Sequence, residues 1–115
     1  MKTVTEWREI KSADLELLRR CKAAIHSVVP DAKVILYGSR ARGDATADSD
    51  YDLLVIFEED NTLDLRRRIR HELFPIELET DHVLTLNAYS IPEWSRPMFQ
   101  VTPFFKNVER EGVLL

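Results

Sequence analysis

The densest run of residues able to do chemistry lies between positions 37 and 55: Tyr37-Gly38-Ser39-Arg40-Ala41-Arg42-Gly43-Asp44-Ala45-Thr46-Ala47-Asp48-Ser49-Asp50-Tyr51-Asp52-Leu53-Leu54-Val55. Two of the chain's three glycines stand in it, and a glycine in so glycine-poor a sequence marks a left-handed backbone angle or a close approach of the backbone to another group. Gly38-Ser39 follows Lys33-Val34-Ile35-Leu36-Tyr37, a β-branched and aromatic run that predicts a buried strand. The amides at the end of that strand are free to face a ligand, and a short helix from Ser39 through Arg42 would make them a site for an anion such as a phosphate. The opposite charge follows at Asp50 and Asp52, which flank Tyr51 ahead of Leu53-Leu54-Val55-Ile56-Phe57. Residues i and i+2 of a strand share a face, so the two carboxylates would stand roughly 7 Å apart and could share divalent cations. The donors are all hard oxygens with no convergent Cys or His, which favours Mg²⁺ over zinc. A phosphate cradle on one strand and a carboxylate pair on its neighbour describe a metal-assisted phosphoryl or nucleotidyl transfer site. An EF-hand calcium loop, imitated by Asp48, Asp50, Asp52 and Glu59, is disfavoured because its sixth position needs a glycine and holds Leu53. A purely structural aspartate-rich turn is the bland alternative.

The elements that must hold these residues are read from periodicity. Residues 3–28 carry a helical pattern, with Ala13, Leu17, Cys21, Ala24 and Val28 spaced three or four apart. Cys21 is then a small core hydrophobe, and His26 caps the helix near its C-terminal dipole. Pro30-Asp31 ends the helix, the first strand leads to Gly38, a loop spans 43–49, and a second strand spans about 51–57. Glu58-Glu59-Asp60-Asn61 is an acidic turn with Asn61 or Thr62 as the next cap. The helix beyond it buries Leu65, Ile69 and Leu73 and leaves Arg66, Arg67, Arg68 and Arg70 as a solvated basic face, with docking of an acidic partner or a polyphosphate tail as the alternative. After Pro75, the alternation over 76–86 predicts a half-buried third strand that carries Glu77, Glu79 and Asp81 on one face. Ser90 and Glu93 have the spacing of a reciprocal cap, with Pro92 in the first turn. Trp94, Met98, Phe99, Val101, Phe104 and Phe105 pack the final segment onto the sheet, and 113–115 adds a short edge strand.

The string Gly38-Ser39, ten residues, then Asp50-x-Asp52 resembles the signature of the DNA polymerase β-type nucleotidyltransferase superfamily. The fuller form, Gly-Ser-x-Ala-Arg-Gly followed by Ser-Asp-x-Asp-Leu, resembles its minimal nucleotidyltransferase branch in particular. The resemblance implies an α/β (α+β) nucleotidyltransferase fold: a small mixed β-sheet flanked by helices, as a single domain over 1–115. It implies two Mg²⁺ ions held by Asp50, Asp52 and a third carboxylate on the third strand, for which Asp81 fits best and Glu77 or Glu79 are alternatives. Gly38 and Ser39 would hold the β- and γ-phosphates of ATP. Arg40 and Arg42 are candidates for contacts with the departing pyrophosphate, and Arg42 could equally pair with Asp44 or Asp48. In the minimal branch the AMP acceptor is a hydroxyl on a protein partner, a helical HEPN-domain toxin, and the nucleotidyltransferase is the antitoxin.

Composition bounds these readings. At 115 residues the chain is about one domain, without material for a separate substrate-binding domain unless it forms a homo-oligomer. A net charge of −4 argues against extensive nucleic-acid binding, which rests on many Lys and Arg contacts with phosphates. No apolar run approaches the ~18 residues of a membrane span. The first residues lack the apolar core of a secretory signal, and the single cysteine forms no internal disulfide, so the expected location is cytoplasmic. Two other function classes compete with protein adenylylation: transfer to a small molecule of the aminoglycoside kind, and a nucleotide- or partner-binding module without turnover. The intact Asp50-x-Asp52 pair weighs against the module, since two like charges are costly to keep together without a cation.

Overall fold

The apolar run after Asp52 becomes the inner strand of a five-stranded mixed sheet, and both of its faces are covered. The computed structural model describes residues 1–8 and 10–115. In chain order the elements are β1 (Lys2–Thr3), α1 (Ser12–Val28), β2 (Lys33–Tyr37), α2 (Ser39–Arg42), β3 (Tyr51–Phe57), α3 (Leu63–Thr80), β4 (Leu84–Ser90), α4 (Ile91–Trp94), α5 (Pro97–Gln100), α6 (Pro103–Glu111) and β5 (Val113–Leu114). The sheet order is β1-β5-β2-β3-β4. β2 runs antiparallel to β3, pairing Tyr37 with Asp52, and β3 runs parallel to β4, pairing Asp52 with Thr85. Because strand side chains alternate, Leu53, Val55 and Phe57 enter the core beneath α1 and α3 with Leu17, Leu18, Cys21, Ile69 and Leu73. Leu54 and Ile56 face the other way, towards Ile35, Val108, Trp94 and Phe104. This two-sided burial is why the run reads as continuously apolar.

Met98 and Val101, expected to pack onto the sheet, are exposed, and three expectations about the elements need correction. The first helix begins at Ser12, not at residue 3: Lys2–Thr3 is a strand and Trp7 is buried. Residue 9 of that expected helix lies outside the described residues. The stripe α1 buries is Asp14, Leu17, Leu18, Cys21 and Ile25, whereas Ala13 is exposed. The C-terminal strand β5 is interior to the sheet, between β1 and β2, and β1 is the edge.

The third correction concerns residues 76–86. α3 runs through Pro75 to Thr80, and β4 starts only at Leu84. A proline inside a helix removes a hydrogen bond and costs about 3 kcal/mol. Against this, Leu65, Ile69, Leu73 and Ile76 are buried along one stripe, each contributing about 1.5–3 kcal/mol, so burial outweighs the break. Pro75 is on the exposed face, where solvent can satisfy the carbonyl it leaves unbonded. The other expected boundaries are met. Thr62 accepts from the Leu65 amide at 3.1 Å, and Ser90 with Glu93 forms a complete capping box. The free edge of β4 is blunted where Arg70 donates to the Leu84 carbonyl and Asn61 to the Ala88 carbonyl, both at 2.9 Å.

Candidate active site

β2 ends at Tyr37 because Gly38 turns the chain with φ 77° and ψ −158°, a conformation open essentially to glycine alone. A second reason is contact: a Cβ at this position would stand 2.2 Å from Asp52 Oδ2. The backbone at Gly38 is thus pressed against the Asp52 carboxylate, the close approach that the glycine signalled. α2 is a single turn from Ser39 that Gly43 closes in the left-handed region with φ 87°. At its start, the Ser39 and Arg40 amides have no carbonyl four residues back to bond within the helix.

Asp52 is the second residue of β3 and half-buried; Asp50 stands one residue before the strand and is exposed. Across the parallel pairing, the Thr85 hydroxyl donates to Asp52 Oδ1 at 2.7 Å. Two residues further along β4, the Asn87 amide donates to the Tyr37 hydroxyl. Burial pushes the Tyr37 phenol above its ordinary range; the Asn87 bond opposes this and the Asp52 charge adds to it. Thr85 and Asn87 are not legible as site residues while residues 76–86 are read as the strand. Once β4 is placed at 84–90, the period of two puts both on the face of Asp52.

Neither Asp81 nor its alternatives occupy a strand. Asp81 is the C-cap of α3, in the left-handed region at φ 57°, and its amide donates to the Glu77 carbonyl. Glu77 accepts from Arg70 at 2.6 Å and from the Leu84 amide at 2.9 Å, tying α3 to the start of β4, and Glu79 pairs with Arg20. Among the described residues, no three His, Cys, Asp or Glu side chains form a group able to hold a metal. The expected three-carboxylate set of Asp50, Asp52 and Asp81 is therefore not assembled. The neighbouring strand offers Thr85 and Asn87 where the third acid was expected.

The two arginines of α2 part company. Arg40, expected at the pyrophosphate, is 8% exposed and donates to the carbonyls of Ala47 and Ser49. Its place is behind the loop, because α2 turns it towards the core. Arg42 is at the surface and pairs with Asp44 at 3.2 Å and Glu111 at 3.3 Å. Of its two expected roles the structure shows the pairing, with Asp44 and not Asp48. The bland readings of other residues also find places. Cys21 is fully buried and its thiol is pushed up to about 12 by burial, so it is no nucleophile at neutral pH. His26 bonds the Ala32 carbonyl at 2.8 Å, beyond the helix rather than at its own last turn. Of the basic residues of α3, Arg66 and Arg70 have protein partners, while Arg67 and Arg68 are exposed.

The family described as "Nucleotidyltransferase domain" matches residues 18–108, a span from the middle of α1 through the glycine turn and both aspartates to α6. The chain belongs to this family. Members of the family generally use a nucleoside triphosphate and a divalent metal. One relative, named "Putative protein adenylyltransferase" in Methanocaldococcus jannaschii, is 37% identical over 101 residues, which are 86% of this chain and 95% of the relative. A second of the same name and organism is 38% identical over 61 residues, 53% of this chain and 54% of the relative. Among the described residues, no helix of this nucleotidyltransferase is long and apolar enough to cross a membrane.

Proposed function

We propose that this nucleotidyltransferase transfers AMP from ATP to a hydroxyl on a partner protein. The observation that carries the reading is the lodging of the Asp52 carboxylate against the Gly38 backbone, which brings the glycine turn and the acidic strand to one point. The similarity to proteins named as adenylyltransferases of proteins supports this choice of acceptor class. The residues fit a Mg²⁺ site with hard oxygens only: Asp50 and Asp52 would hold the ions, two by the family resemblance. Mg²⁺ keeps several waters and needs only one or two carboxylates besides the substrate's phosphates, so the missing third acid does not exclude it. When bound, it would neutralise charge on the triphosphate and lower the pKa of a coordinated oxygen.

The local geometry supports the following contributions of the chain. The turn at Gly38-Ser39 presents backbone amides and a hydroxyl to the β- and γ-phosphates. Thr85 holds one oxygen of Asp52, which fixes the orientation of the carboxylate and leaves Oδ2 towards Gly38. The acceptor hydroxyl releases its proton to solvent as its oxygen bonds to the α-phosphorus, the bond to the bridging oxygen of the β-phosphate breaks, and pyrophosphate leaves. With neutral Thr85 and Asn87 on β4, orientation and desolvation of the acceptor must come from whatever docks over the site, which can supply several kcal/mol. That requirement favours a protein acceptor that closes the site. By the resemblance stated above, the partner is a helical HEPN-type protein presenting a hydroxyl, by analogy with the family that of a tyrosine, and this chain is the antitoxin of the pair.

Mass spectrometry of the chain incubated with ATP, Mg²⁺ and the product of its neighbouring gene tests the reading. A gain of AMP on that partner, absent with Asp52→Asn, is the expected result. Efficient transfer to a small alcohol or sugar at a rate no protein changes would overturn it.

A further inference from the structure

Behind the aspartates, on the face of β3 turned towards α1, three side chains close around one another. Tyr51 points away from Asp52 because successive strand residues alternate, and its hydroxyl donates to Asp14 Oδ1 at 2.5 Å. Burial and the neighbouring Asp14 hold this phenol well above its ordinary range, so it stays a donor. The Arg40 guanidinium lies 4.3 Å from the centroid of the Tyr51 ring, and its Nη1 is 3.7 Å from Asp14 Oδ1. Arg40 and Asp14 are each 8% exposed.

An ion pair of 3.7 Å is long beside the 2.7–2.9 Å of a strong charge-assisted bond, and burying two charges for it does not by itself favour folding. The arginine's shorter contacts are elsewhere. Nη2 donates to the Ser49 carbonyl at 2.9 Å and to the Ala47 carbonyl at 3.3 Å, and Nε donates to Ser49 again at 3.3 Å. The Ser49 carbonyl belongs to the peptide whose nitrogen is that of Asp50. The planar fork thus spans two carbonyls of the loop that delivers the first metal-binding aspartate, while Asp14 balances its charge and Tyr51 supports its face.

We propose that Arg40 is a positioning residue: by gripping Ala47 and Ser49 from behind, it fixes where the Asp50 carboxylate stands relative to Asp52. Its guanidinium contacts are the Ala47 and Ser49 carbonyls, Asp14 and the Tyr51 ring, so it acts through the loop. A lysine would preserve the charge but not the fork, so charge alone is insufficient. The assignment rests on the nucleotidyl-transfer reading only in requiring that Asp50 and Asp52 hold a divalent cation together.

The test is Mn²⁺ binding to the full chain with a non-hydrolysable ATP analogue, read by electron paramagnetic resonance. Arg40→Lys and Arg40→Gln should each weaken Mn²⁺ binding about tenfold or more, the range for residues that orient metal ligands. Glu77→Gln, which loosens α3 without touching the loop, should leave it unchanged. Wild-type affinity in both Arg40 variants, or an equal loss in Glu77→Gln, overturns the positioning role. Absence of binding that depends on Asp50 and Asp52 in the wild type would instead remove the transfer reading, and this assignment with it. Should the Arg40 variants fail to fold, backbone order parameters of the wild type decide. Values near 0.85 for residues 47–50, about those of a rigid strand, are expected; values below about 0.6 overturn the proposal.

Discussion

The two halves of the site are built on opposite terms. On the β2–α2–β3 side three residues are each fixed by a neighbour: Gly38 by Asp52, Arg40 by the loop carbonyls, Tyr51 by Asp14. On the α3–β4 side the acids are drawn into structural work, Glu77 to Arg70 and Leu84, Glu79 to Arg20, Asp81 to a helix cap, while neutral Thr85 and Asn87 face the carboxylates. Among the described residues, the carboxylates left for the site are those at the head of β3, Asp50 and Asp52. Chemistry that needs a further acid or a dry acceptor must obtain it from what docks there.

The largest effect that could break this contrast is expected from Asp52→Asn. It should lower AMP transfer about a hundredfold or more, since the charge stabilisation at stake is several kcal/mol and about 1.4 kcal/mol is tenfold. Steady-state rates at saturating Mg²⁺ check this, and a wild-type rate would remove β3 from the chemistry. Gly38→Ala should come next. The added methyl meets Asp52 Oδ2 and the backbone angle is strained for any L side chain, so a loss of about 1–3 kcal/mol is expected in denaturant unfolding, together with loss of transfer. On the other half, Glu77→Gln should cost about 1 kcal/mol of stability, at the low end for a charge-assisted bond because Arg70 is 43% exposed. Its transfer rate should be unchanged wherever the protein is folded. Asp81→Asn should be the quietest, within about 0.5 kcal/mol and without effect on rate, because asparagine adopts the left-handed cap as readily as aspartate. A large fall in rate for Asp81→Asn would place that carboxylate in the chemistry and erase the contrast.

What could be read from sequence divides along the same line. The glycine turn, the strand before it and the Asp50-x-Asp52 pair were legible because their determinants are local: a positive φ, a β-branched run, a fixed spacing. The expected strand at 76–86 was not, because Ile76 satisfies both a period of two and the stripe Leu65-Ile69-Leu73-Ile76. The longer stripe decides, through burial that no short window shows, and with it the expected placement of Asp81 shifts to a helix cap. Arg40 and Asp14 escaped for a different reason. Position 40 sits in a motif that invites a phosphate contact, and Asp14 falls outside the stripe read from Ala13 and Leu17. Only the packing of α1 against β3 reveals that the two charges are buried together. A charge at the three- and four-residue spacing from Leu17 and Leu18 was the available signal.

The proposed nucleotidyl transfer depends on Asp52 at the start of β3 and on Asp50 just ahead of it. The direct measurement follows label from ATP marked separately at its α- and γ-phosphorus, with Mg²⁺ and the partner protein present. The α-label is expected to become covalently attached to the partner and the γ-label to leave as pyrophosphate, and both events are expected to be lost in Asp50→Asn and in Asp52→Asn. Retention of the γ-label on the partner, or α-label transfer that survives either substitution, would contradict it.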